Sequence, residues 1–144
     1  MRDYIRKVQY YETDKMGIVH HSNYIKWFEE ARIFCMNEMG YSYKKMEDIG
    51  VMIPVLGVNA IYKSGAAYGD DVVVKTKIEK ITPVKMSFVY EITDAVTEEL
   101  RVTGKTEHCF VDSSFKPCSI KKKFTEFYEK CLKMSVGSEG TKRV

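Results

Sequence analysis

No run of ~20 apolar residues, the length a membrane-crossing helix needs, occurs anywhere in the 144 residues. Met1, Arg2, Asp3 and Tyr4 lead straight into a strand-like segment without an apolar signal region, so a cytoplasmic protein without a membrane span is expected. The cysteines lack partners in sequence. Cys35, Cys109, Cys118 and Cys131 stand singly with no C-x-x-C pair, in a chain too large to depend on disulfide staples, so reduced thiols are expected and Cys35 reads as core filler. Charge of one sign is also missing. The 23 basic and 20 acidic residues leave a net +3, the excess sits in Lys121, Lys122, Lys123, Lys142 and Arg143, and acids are interspersed elsewhere. That pattern excludes the basic face of a nucleic-acid binder. Of the three histidines, His20 and His21 are adjacent and would point to opposite sides, and no third ligand follows at metal spacing. No metal site is expected.

What is present is an ordinary globular composition, 44% hydrophobic and 30% charged, sufficient for one packed domain over residues 1–134. Residues 135–144 are small, polar and charged, and are expected to form a disordered tail. Residues 2–11 read as an opening strand, and the tetrad Asp14-Lys15-Met16-Gly17 as a tight loop, with Gly17 where a positive φ is easily adopted. Tyr24, Trp27, Phe28, Ala31, Phe34 and Cys35 then recur at the spacing of one helical face. Ile25, Ile33, Met36 and Met39 make the rest of the circumference apolar as well, which predicts a helix buried on most sides. Ser22 or Asn23 is placed to cap its start and Gly40 to close its end. Glu29 is placed to pair with Arg32 at i,i+3.

A short helical link is expected over residues 43–49, followed by strands. Pro54 marks residues 52–63 as an edge or strand start. Val72, Val74, Thr76 and Ile78 alternate with Val73, Lys75, Lys77 and Glu79, and Met86, Phe88, Tyr90 and Ile92 repeat the period of two. Residues 100–112 make a further strand, and turns at residues 68–70, 82–83 and 94–98 suit antiparallel hairpins. A short C-terminal helix fits Phe124, Phe127, Tyr128 and Cys131. Strand, helix, then four strands is an α+β order, which predicts a curved antiparallel sheet wrapped around one long central helix.

Residues 11–24 place a carboxylate, two imidazoles and a glycine turn immediately before that helix. A helix start presents free N–H groups and about half a positive charge, which stabilises a carbonyl oxygen gaining negative charge. A thiol of pKa ~8.5 leaves without a dedicated acid, so thioester cleavage needs little more than a carboxylate and such an oxyanion site. Residue physics alone favours a turn role for Asp14, bonded to its own backbone.

Tyr11, Thr13-Asp14, Gly17-Ile18-Val19, His21, Asn23-Tyr24 and Phe28-Glu29-Glu30-Ala31-Arg32 resemble, without gaps, the signature of the 4-hydroxybenzoyl-CoA thioesterase family of hot-dog proteins, which includes the small acyl-CoA thioesterases. The resemblance implies a hot-dog fold, a homodimer or homotetramer, no cofactor, and hydrolysis of acyl-CoA to a free acid and CoA, with CoA entering as part of the substrate. It puts Asp14 in the place of the catalytic carboxylate, as base or nucleophile, and His21 where a backbone N–H polarises the thioester carbonyl. It implies that Gly17, Val19, Asn23 and Tyr24 meet the substrate and that Lys85 faces the CoA phosphates. Gly65-Ala66-Ala67 departs from the Pro-Ala pair of many members and leaves the acyl-pocket shape open. Rival readings are an acyl-carrier-protein thioesterase, which requires a basic patch, and a non-catalytic acyl-CoA-binding protein. Hot-dog dehydratases share a His motif followed by Pro-Gly-His, which this chain lacks.

Overall fold

The computed structural model describes residues 2–136. The tail expected from residue 135 onward therefore lies almost wholly outside the described residues. The opening strand, β1 (Tyr4–Lys7), is shorter than expected because Tyr10–Glu12 close into a 3-10 turn. A loop then enters α1 (Ser22–Met39), whose residues Tyr24, Trp27, Phe28, Ala31, Cys35, Met36 and Met39 are buried at the expected three- and four-residue spacing. Gly40 closes the helix in the left-handed region at φ 87°, as its lack of a Cβ permits.

The helix start differs from expectation. Helical backbone already begins at His21, so Ser22 and Asn23 lie inside the first turn and neither caps it. Their side chains turn back to the preceding loop: Ser22 Oγ meets His20 Nδ1 at 2.9 Å, and Asn23 Nδ2 donates to the Glu12 carbonyl at 2.9 Å.

After α2 (Tyr43–Asp48) come β2 (Val55–Tyr62), β3 (Asp71–Ile81), β4 (Lys85–Asp94) and β5 (Leu100–Cys109), then α3 (Ile120–Lys123) and α4 (Thr125–Met134). All strand pairs are antiparallel, in the order β1-β3-β4-β5-β2. Two of the three expected hairpins form, β3 to β4 and β4 to β5. The third does not: the turn at residues 68–70 carries the chain from β2 across to the other side of the sheet, where β3 pairs with β1 while β2 pairs with β5. A turn sequence signals reversal, not which strand the chain then joins.

Val72, Val74, Ile78, Met86, Phe88, Tyr90, Ile92 and Val102 form the buried face of the sheet and share one core with the inward residues of α1. The fit is closest at Gly104. A Cβ there would meet the Phe28 ring at 2.3 Å, and the same ring stacks on Tyr90 with centroids 4.4 Å apart. On the outer face Lys105 pairs with Glu79 at 2.9 Å. At the far end of α1, Lys130 of α4 donates to the Met39 carbonyl at 2.8 Å, satisfying one of the acceptors a helix end leaves open. Ile25 and Ile33 remain 38% and 37% exposed, so the chain's own sheet covers α1 on one side rather than on most sides.

Candidate active site

The loop before α1 is closed at its neck by the pairing of Thr13 with Val19. Inside it, Asp14 N donates to the Ile18 carbonyl at 2.9 Å and Gly17 N to the Asp14 carbonyl at 3.0 Å. Gly17 takes φ 81°, the left-handed conformation that the turn demands. Asp14 Oδ1 accepts from Met16 N at 2.8 Å. The turn role is therefore present, and among the described residues Oδ2 accepts no hydrogen bond.

Asp14 lines two depressions. One, of about 250 Å³, is shared with Met16, Val19, His21, Tyr24 and Tyr62. The other, of about 790 Å³, is open and lies toward Gly17, Tyr10, Tyr11 and Tyr68, with Tyr10 edge-on to Tyr68 at 5.5 Å. Tyr24 is buried, and its hydroxyl accepts from Ala66 N at 3.1 Å. Burial pushes the Tyr24 phenol above its ordinary pKa, and the Asp14 charge adds to the effect.

The amides along the loop are mostly spoken for. Asp14 N, Val19 N and His20 N donate to the carbonyls of Ile18, Ala66 and Glu12 at 2.9, 2.8 and 2.9 Å. Among the described residues no acceptor takes the His21 N–H. Tyr62 Oη donates to the His21 carbonyl at 3.3 Å and its ring stands edge-on to the imidazole. Val19 and Ala66 thus stitch the loop to the segment at residues 65–67, where Gly65 lies close under Ile18: a Cβ there would stand 3.0 Å from the Ile18 side chain.

A profile of the thioesterase-like superfamily matches residues 8–128. The chain belongs to that superfamily. Within it, the chain is 39% identical over 131 residues to a Bacillus subtilis (strain 168) protein provisionally named as the acyl-CoA thioesterase YneP, covering 88% of this chain and 94% of that one. The crystal structure of a DHNA-CoA thioesterase from Staphylococcus aureus is similar with a TM-score of 0.90 at 34% identity, covering 99% of this chain and 94% of that chain. A further Staphylococcus aureus protein, solved in complex with CoA, shares the fold at a TM-score of 0.81 and 16% identity, over 92% of this chain and 84% of that one. The architecture is the hot-dog fold, and the thioesterase-like member is a thioester hydrolase. The names of these relatives and the shared fold support acyl-CoA thioesterase activity.

Of the expected site residues of this thioester hydrolase, Asp14, Val19, His21 and Tyr24 come together around one depression, and Gly17 lies on the neighbouring one. Asn23 is buried and its amide is engaged by the Glu12 carbonyl, so it braces the loop from behind instead of facing the depression. Lys85 is not brought to Asp14 within one chain; it sits at the start of β4 beside Glu79, Lys80 and Lys105. Glu29 is exposed and Arg32 is buried, so the expected pair does not form.

Sequence reasoning missed Glu12, which is 3% exposed. Its carboxylate accepts from Arg6 Nη1 at 2.7 Å, Gln9 N at 2.8 Å and Trp27 Nε1 at 2.8 Å. Burial alone would raise its pKa, but the Arg6 charge and the two N–H donors hold it below the ordinary carboxylate value. Arg6 in turn lies 4.6 Å over the Trp27 ring and pairs with Glu30 at 3.0 Å. A lone Glu in a loop carries no periodic signal that would have found it.

Proposed function

We propose that the chain hydrolyses acyl-CoA thioesters to a free carboxylic acid and CoA, with Asp14 and the His21 backbone amide acting on the same carbonyl. The observation that carries this reading is their common depression, together with the uncommitted His21 N–H at the mouth of an 18-residue helix. As general base, the Asp14 carboxylate takes a proton from water while the water oxygen bonds to the thioester carbon. The carbonyl oxygen gains the negative charge, which the His21 N–H and the helix start stabilise. The C–S bond then breaks and CoA leaves as a thiolate, which a thiol pKa of ~8.5 makes easy without a dedicated acid. As nucleophile, a carboxylate oxygen of Asp14 would bond to the carbon first, expelling the thiolate and leaving a mixed anhydride for water to open. Asp14 Oδ2 is free for either route. Val19 and Tyr24 wall the carbonyl region and Gly17 lies beside it, while Lys85 would meet the CoA phosphates from a neighbouring subunit.

A homo-oligomer in the cytoplasm fits this reading. Among the described residues the outer edge of β2 is unpaired, and Val55, Leu56, Val58, Ile61 and Tyr62 along it are 44% to 56% exposed, as suits a strand that pairs with a second copy. Tyr62 belongs to both that strand and the depression.

Thiol release from a panel of short, long and aromatic acyl-CoAs, with DHNA-CoA among them, is the direct test. Asp14→Asn should keep the fold and lower the rate at least ~100-fold. Wild-type turnover in that variant would remove Asp14 from the mechanism.

A further inference from the structure

We propose that Glu12 is a positioning residue for the reaction: it holds the peptide plane from which the loop and the start of α1 both hang, and thereby aims the His21 N–H. The proposal rests on the Asp14 and His21 reading above.

The side chain and the backbone of Glu12 act on different parts of the molecule. Through Oε1 the residue holds Arg6 of β1 at 2.7 Å, and through Oε2 it holds Trp27 Nε1, in the second turn of α1, at 2.8 Å. Its carbonyl accepts from His20 N and from Asn23 Nδ2, both at 2.9 Å. His21 lies between those two donors. With the amide before it and the side chain two residues after it fixed to one oxygen, the intervening peptide has little freedom to rotate. Asp14 is two residues from Glu12 in the other direction, beyond the Thr13 to Val19 pairing. One buried residue therefore sets the relative placement of the carboxylate and the amide across the loop.

Such leverage is large in kinetic terms, since displacing a reacting group by about 1 Å can cost ~100-fold in rate. Glu12→Gln keeps the shape and one acceptor oxygen but removes the charge facing Arg6 and one of the two carboxylate acceptors. A shifted carbonyl should lower kcat by about 10- to 100-fold while leaving KM within about 2-fold, and should move the 15N–1H resonance of the His21 amide. Glu30→Gln is the comparison, because Glu30 touches Arg6 and Tyr4 in the same cluster and, among the described residues, bonds to nothing on the loop. It should loosen the cluster without changing kcat or the His21 resonance.

The experiment uses the full chain, with thermal unfolding run on both variants. A Glu12→Gln enzyme with wild-type kcat overturns the proposal, and so does an equal loss of kcat in both variants at similar Tm. Where Glu12→Gln fails to fold, Asn23→Leu, which removes the second strut to the same carbonyl, is read by the same kcat and resonance criteria. Failure of the underlying reading is separate: it appears as full activity in Asp14→Asn, whatever Glu12 does.

Discussion

Two charges lie buried beneath α1, and their surroundings differ. At the helix start Glu12 meets an opposite charge on Arg6 and two further N–H donors. Nearly three turns further along, Arg32, 4% exposed, meets only hydroxyls among the described residues. Its Nη1 donates to Tyr90 Oη at 3.2 Å, Tyr90 Oη and Thr106 Oγ1 are 2.6 Å apart, and Thr106 Oγ1 is 2.8 Å from His108 Nε2. Arg32 Nε and His108 Nδ1 are buried without a partner among the described residues. Burial pulls His108 down to about 4, with the Arg32 charge adding to it, and burial pushes Tyr90 up to about 12. Glu12 is therefore a compensated ion that ties elements together, whereas Arg32 is an ion spread over dipoles, with an imidazole kept neutral beside it.

Removing each partner should expose that difference. Glu12→Ala takes one of two carboxylate partners from Arg6, leaving Glu30, and takes the acceptor from Trp27 Nε1, so unfolding in urea should show a loss of about 3–5 kcal/mol. The acid response should differ next. A His whose folded pKa is depressed from 6.5 to about 4 stays neutral in the folded chain while the unfolded chain takes up a proton. Stability should therefore fall with falling pH across that window, by up to about 1.4 kcal/mol per pH unit, and His108→Gln should flatten the slope. Glu12, with a lowered pKa, contributes fully above the unfolded carboxylate range of ~4.3 and is lost only below it. Acid should thus weaken the Arg32 region first and the Glu12 region second, which urea midpoints measured from pH 3 to 7 would order. The smallest effect belongs to Arg32→Met. Replacing an ion without a counter-charge by an apolar side chain of similar length should change stability by less than about 1 kcal/mol or raise it, and a loss above 3 kcal/mol would show that the hydroxyls compensate Arg32 fully.

The same contrast explains what could be read from residues alone. The period of α1, the turn at Gly17, the close at Gly40 and the alternation in β3 and β4 are local, and all are present. Arg32 was within reach too, since it stands four residues after Phe28 and eight after Tyr24 on the inward face; its charge argued for the surface and the period argued for the core. Glu12 offered no such conflict to notice, because its partners, Arg6 and Trp27, lie on two other elements. Asn23 was misread for a related reason: a residue type suited to capping does so only if the helix begins there, and helical backbone begins at His21. The crossing of β2 to β5 depends on distant pairing and left no mark in the turn at residues 68–70.

The notch at Gly104 has a reach beyond its own strand. A ring seated where a side chain would otherwise stand cannot slide along the groove or roll out of it without first lifting free, so Phe28 indexes α1 to β5 like a key in a lock plate. Since β5 also carries β2 along its other side, the distance between the helix mouth and that outer strand is gauged at one residue, far in sequence from either.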